Sequence, residues 1–186
     1  MTRTLMILVV VVVVLIGGVL VVAATGPDTF EVRRTASIKA PPERIFPLIN
    51  DLRAFNTWNP YEKKDPNVKG RYSGPSEGKG AAYAFQGNKD VGKGSIEIVE
   101  SSPASGVRMR LRMLEPFEAG NDVEFVLEPK GDATNVTWAM HGRVPYVAKI
   151  VHLLFDMDGM VGRDFETGLA SLKAIVEHPK MAAKQH

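Results

Sequence analysis

Cysteine is absent from the 186 residues. That excludes disulfides, a thiolate nucleophile and cysteine-based metal sites. It leaves the compartment open, because a disulfide-free domain folds on either side of a membrane. A surplus of one charge is also missing. Lys and Arg number 23 against 21 Asp and Glu, a formal net charge of +2. Such a balance gives no reason to expect a nucleic-acid partner. The four histidines, His141, His152, His178 and His186, form no HxxxH, HExxH or carboxylate–histidine cluster, so no metal or cofactor is expected. There is no GxSxG element and no phosphate-binding glycine loop. The glycines from Gly87 to Gly94 read as a hairpin turn. No internal repeat occurs.

What the chain does have is a long apolar run. Leu5 to Ala24 is uncharged, and about twenty such residues cross the ~30 Å hydrocarbon core as a helix. In lipid the valines have no other way to satisfy their backbone hydrogen bonds. The alternative is a cleaved signal peptide, with Arg3 as the basic start and Val22-Ala23-Ala24 as the cleavage site. The run is longer than the usual signal core, which favours an uncleaved single-pass anchor. A bare count of Arg33, Arg34, Lys39 and Arg44 against Arg3 places the following domain inside. Those residues belong to a folding domain, however, and the basic start favours an extracytoplasmic domain. Gly26-Pro27-Asp28 is a helix stop and short linker, which keeps the domain close to the bilayer surface. The expected division is 1–27 anchor and linker, 28–178 domain, 179–186 disordered tail.

Seven segments alternate apolar and polar residues and read as strands. They are Thr29–Lys39, a weak one near Val68–Tyr72, Gly80–Gln86, Gly94–Ser101, Val107–Leu114, Asn121–Glu128 and Thr134–Gly142. Two short helices are expected after the first strand, one around Ile45, Phe46 and Ile49, the other over Leu52, Phe55 and Trp58, ended by Asn59-Pro60. Pro129-Lys130-Gly131-Asp132 is a hairpin turn. Arg108, Arg110 and Arg112 face outward opposite Asp122, Glu124 and Glu128, and cross-strand pairing on a solvated face is expected. From Pro145 to Glu177 the apolar residues recur three or four apart, which predicts one long amphipathic helix. Consecutive strands joined by tight turns imply an antiparallel meander. The fold class is α+β, a curved antiparallel sheet wrapped around a C-terminal helix.

This pattern resembles the START-like helix-grip superfamily (SRPBCC), which includes the polyketide cyclase/dehydrase and lipid-transport group. The matching residues run from Ser37 to Phe46 (SIKAPPERIF), Phe55 to Pro60 (FNTWNP), Thr134 to Trp138 (TNVTW) and Asp164 to Lys173 (DFETGLASLK). The resemblance covers Phe30 to Glu177. It implies a deep cavity between sheet and helix that holds lipids, sterols, polyketides or other apolar molecules; a minority of the family catalyse. Fold alone does not choose among these.

The candidate cavity-lining residues are Trp58, Tyr83, Phe85, Met109, Leu111, Met113, Trp138, Met140, Phe155, Asp158 and Phe165. Methionine among them suits variable apolar ligands and is equally ordinary core filler. Asp158 falls in the phase of the apolar stripe. It is either a carboxylate facing the cavity, with Arg34 its partner by strand phase, or it marks a kink where it reaches water. Arg34 itself either snorkels from a strand end or points inward. Three readings follow: a membrane-anchored binding domain for a hydrophobic small molecule or lipid, a cyclase/aromatase-type enzyme using Asp158 and Arg34, or an envelope interaction module without a ligand.

Overall fold

The computed structural model describes residues 2–144, 146, 149 and 156–178. They form two compact units, Met1–Phe30 with Arg143–Met157, and Glu31–Gly142 with Asp158–His186. Phe155, His152 and the expected 179–186 tail lie outside the described residues.

The first unit is built on helix α1 (Thr2–Thr25). Its 24 residues rise about 36 Å at 1.5 Å each, more than the ~30 Å of a bilayer's hydrocarbon core. Its large apolar side chains from Leu5 to Val22 are exposed while Ala23 is buried, and the helix is long and apolar enough to cross a membrane. Thr25 Oγ1 donates to the Val22 carbonyl at 3.0 Å, and Gly26-Pro27-Asp28 ends the helix. The buried Lys149 fastens this exit, its Nζ donating to the Gly26 carbonyl at 2.8 Å and to Asp28 Oδ1 at 2.6 Å. That hydrogen bond, with the ammonium charge, holds the Asp28 carboxyl below its ordinary pKa.

The second unit carries a seven-stranded antiparallel sheet in the order β1-β7-β6-β5-β4-β3-β2. The strands are β1 (Thr29–Ile38), β2 (Lys69–Ser73), β3 (Ala82–Gln86), β4 (Lys93–Ser102), β5 (Gly106–Glu115), β6 (Ala119–Lys130) and β7 (Ala133–Arg143). Each expected strand is present within a few residues, because a buried face fixes the phase of a strand. Lys130 pairs with Ala133 across the Gly131-Asp132 turn, where Gly131 takes φ +66° as a two-residue hairpin requires. On the outer face Arg110 meets Asp122 at 4.0 Å, whereas Arg108 turns to Glu100 on β4 at 2.6 Å.

The segment after β1 differs from expectation. Four short helices stand there instead of two: α2 (Pro42–Ile45), α3 (Pro47–Asn50), α4 (Leu52–Trp58) and α5 (Pro60–Lys63). Pro47 has no N–H to continue the first helix, so it opens a new turn. Asn59-Pro60 ends α4 as expected, but Pro60 then serves as the first residue of α5, with Asn59 Oδ1 accepting from the Tyr61 N–H at 3.2 Å.

The C-terminal helix α6 spans Met157–Glu177. Asp156 is not helical, so the single helix predicted from Pro145 is interrupted here. α6 buries Phe165, Leu169, Leu172 and Val176, spaced four, three and four apart, against the inner face of the sheet. The chain direction of α6 follows β1. Lys173 Nζ donates to the Ser37 carbonyl at 2.7 Å, and Glu177 Oε1 accepts from the Lys39 N–H at 2.7 Å.

Candidate functional site

Alternation puts one residue in two on the inner face of each strand. Cross-strand register sorts these into rows. One row is Val107, Phe125 and Trp138; the next is Met109, Val123 and Met140. Every one of these six is buried. Beyond them the covering thins. Leu111 and Met113, in the same phase of β5, are only half-buried, as is Phe85 on β3. Tyr83, its inward neighbour, is 4% exposed and stacks on Tyr72 at 4.6 Å.

At the closed end, four of the predicted lining residues meet one another or a strand. Trp138 stacks on Phe165 with centroids 4.1 Å apart and an 8° tilt. Trp58 stands edge-on to Trp138 at 5.7 Å, its Nε1 donating to the Leu48 carbonyl at 2.8 Å. Met109 is fully buried. Phe55 and Phe125 complete this cluster, and the candidate set missed both, although the strand phase of Phe125 pointed inward. Edge-to-face and offset pairs of this kind add to simple burial. The cluster is a packed wall, not an open space.

Gly168 makes the wall possible. A Cβ there would fall 2.6 Å from Trp138 Cζ3 and 3.0 Å from Pro60 Cδ, so the missing side chain lets α6 close on the indole. No spacing rule in the sequence marks this glycine.

Asp158 is exposed, not inward. It sits in the first turn of α6, where a negative charge is favourable, and pairs with Arg34 Nη2 at 3.1 Å. Arg34 also reaches Glu166 at 2.9 Å and packs over Gly162, where a Cβ would overlap its guanidinium. These hydrogen bonds, to Asp158 first and then Glu166, raise the Arg34 pKa above its ordinary value. Of the two placements the sequence left open for Asp158, the structure shows the one that reaches water, with Arg34 its partner. The arrangement fastens β1 to α6 at the surface and aims no carboxylate into the interior.

A second polar group joins α5 to α6. Lys64 Nζ donates to Asp164 Oδ2 at 2.7 Å and lies 4.9 Å from the Tyr61 ring centre. Burial, and then the Asp164 charge, push the Tyr61 hydroxyl pKa well up. Burial does the same for Tyr83, helped by Glu62. Both phenols stay protonated at neutral pH. Two clefts of about 260 and 240 Å³ lie at Leu52–Tyr72–Ala82 and at Glu100–Arg108–Glu124. Neither is lined by any predicted cavity residue. Among the described residues no group of three His, Asp or Glu is placed to hold a metal.

A family model described as polyketide cyclase / dehydrase and lipid transport matches residues 29–177. No curated protein matches the chain. Among solved structures, the Aha1 dimer from Colwellia psychrerythraea is 20% identical with a TM-score of 0.57, over 80% of this chain and 97% of that one. Protein MLL2253 from Mesorhizobium loti is 14% identical with a TM-score of 0.59, again over 80% and 97%. CalU16 from Micromonospora echinospora is 17% identical with a TM-score of 0.53, over 84% and 90%. At these identities the likeness is one of fold.

Proposed function

This chain belongs to the polyketide cyclase/dehydrase and lipid transport family and has its START-like helix-grip fold, and from that premise we propose that it is a membrane-anchored receptor for a hydrophobic small molecule or lipid. The ligand lies against the inner face of β3 to β5, next to Phe85, Leu111 and Met113. The observation that carries the reading is the change along one strand. Val107 and Met109 of β5 are buried, while Leu111 and Met113 in the same phase are half-covered. An apolar face that continues past its own covering is a place for apolar ligand surface, at roughly 25 cal/mol per Å² buried.

The anchor half of the reading rests on α1, which is uncharged from Leu5 to Ala24 and exposes its large apolar side chains. The domain is assigned to the extracytoplasmic side. Because the chain has no cysteine, a single Ser76→Cys at an exposed position reports the side directly. A membrane-impermeant maleimide should label it in intact cells. Labelling only after lysis would place the domain inside.

For the ligand, the full chain is taken from its host membrane in polymer nanodiscs and analysed by native mass spectrometry with extraction. One apolar molecule per chain is expected, and it should be lost from a Leu111→Arg/Met113→Arg double variant that keeps its helical and sheet signal. Protein that is repeatedly empty and fails to take up long-chain lipids would overturn the receptor reading. The aromatase-type reading loses its acid, since Asp158 stands at the surface with Arg34.

A further inference from the structure

The second unit, which carries the sheet, does not scatter its exposed large apolar side chains. Among its described residues these are Leu114 (50% exposed), Phe117 (77%) and Met160 (50%). Single exposed apolar residues are ordinary on any surface. A shared location is not, and it marks a surface that meets something.

Strand register gives the location. Met113 of β5 lies opposite Ala119 of β6, and Asn121 of β6 opposite Gly142 of β7. The end of β5, the start of β6 and the end of β7 therefore share one end of the sheet. Thr35 of β1 meets Thr137 at 2.9 Å, and further along the chain Ala40 accepts from Thr134 at 2.7 Å, so β1 starts where β7 ends. The chain enters the sheet at that same end. α6 starts there too, since Arg34 on β1 holds Asp158 while Lys39, beyond the last residue of the strand, holds Glu177. Leu114 is presented by a bulge. Lys93 of β4 pairs with Glu115 and Gly94 with Met113, which leaves Leu114 as an extra residue, and a bulge re-aims the side chain it carries. Phe117 stands at the tip between β5 and β6. The opposite end closes on Gly74 to Gly80, Pro103-Ala104-Ser105 and Gly131-Asp132, which expose no large apolar side chain.

α1 ends at Thr25 and β1 begins at Thr29. The three residues between them reach at most about 10 Å. We propose that the β5–β6 tip is a second, shallow membrane contact, in which Phe117 and Leu114 enter the interfacial layer of the bilayer that α1 spans. This rests on the anchor half of the reading above and is independent of the ligand. Two apolar side chains hold a free domain poorly. On a tether this short their contact behaves as an intramolecular one, at an effective concentration that a free domain does not reach. Residues 114–119 include Glu115 and Glu118 and no lysine or arginine, so the attraction is apolar and needs no anionic lipid.

The test uses the full chain in phosphatidylcholine nanodiscs at one chain per disc, which removes a second copy or another protein as the partner. Because the chain has no cysteine, Gly120→Cys takes a single environment-sensitive fluorophore beside the tip, at a position where a Cβ meets nothing within 4 Å. Ser105→Cys carries the same label at the opposite end. A lipid with a nitroxide high on its acyl chain should quench the label at position 120 and leave the one at 105 bright. Leu114→Ser/Phe117→Ser should abolish the quenching at 120 with the circular dichroism unchanged, and Phe117→Leu should keep it. Added phosphatidylglycerol should not strengthen it. A bright label at 120, equal quenching at the two positions, or quenching that survives the double serine variant overturns the tip contact and leaves the anchor standing. A chain that does not stay with the discs through size exclusion overturns the anchor, and this proposal with it.

Discussion

Gly162 and Gly168 both lie on α6 where a methyl group would collide, but what each would strike differs. At Gly162 the obstacle is the guanidinium of Arg34, the far end of a flexible chain that is partly in water. Gly162→Ala gains about 1 kcal/mol of helix propensity and displaces a guanidinium whose ion pairs with the exposed Asp158 and Glu166 are worth about 0–1 kcal/mol each. Its urea midpoint should stay close to that of the parent. At Gly168 the obstacle is the pinned indole of Trp138 and the ring of Pro60. Overpacking a core position costs typically ~1–3 kcal/mol, so Gly168→Ala should lower the midpoint despite the same gain in propensity. A third residue, Glu177, is sensitive to acid. Its carboxylate accepts from the Lys39 N–H, and that bond, aided by the Lys173 charge, lowers its pKa from 4.5. A lowered folded pKa stabilises above the unfolded value, and the effect is lost as pH falls below about 4.5 through the folded value. Glu177→Gln should therefore unfold at lower urea than the parent at neutral pH, with the gap closing as the solution is acidified. None of these three was legible in the sequence, because each depends on a neighbour far along the chain.

The elements were legible to the degree that one face of each is buried. All seven strands follow from period-two alternation, down to the weak β2. The short helices were less so. Propensity and proline rules see where backbone donors are missing, but not that Pro47 and Pro60 begin new turns within one compact run (α2 to α5). The candidate site was legible as a face and not as a depth. Strand phase put Met109, Leu111 and Met113 on the same side, and nothing in that phase tells a fully covered residue from a half-covered one. The β6–β7 turn was read directly, and it carries a prediction. Gly131 at φ +66° is in the left-handed region, which costs an ordinary L-residue roughly 1–2 kcal/mol. Gly131→Val should destabilise by about that amount in equilibrium denaturation, and Gly131→Asn by clearly less, since asparagine tolerates this conformation.

At the scale of the whole molecule, a ligand that binds only the folded protein must stabilise it. A long-chain lipid at a hundred times its Kd should add about 2.7 kcal/mol. For a chain of this size that corresponds to a rise of roughly 5–10 °C in Tm, and calorimetry of the Leu111→Arg/Met113→Arg variant should show none of it. The strand order has a separate consequence, in time. β1 lies beside β7, the first strand made against the last. At the ~5–20 residues per second of synthesis, the roughly hundred residues between them take on the order of 5–20 s to emerge. Through that interval β1 is an edge without its β7 partner, and such an edge is a template for the wrong neighbour. Glu31, Arg33 and Arg34, set along its length, keep that edge charged while it waits. The same Arg34 that later clasps α6 is, during biogenesis, a guard against premature pairing, and chains carrying Arg34→Val should aggregate more during synthesis than their equilibrium stability alone would explain.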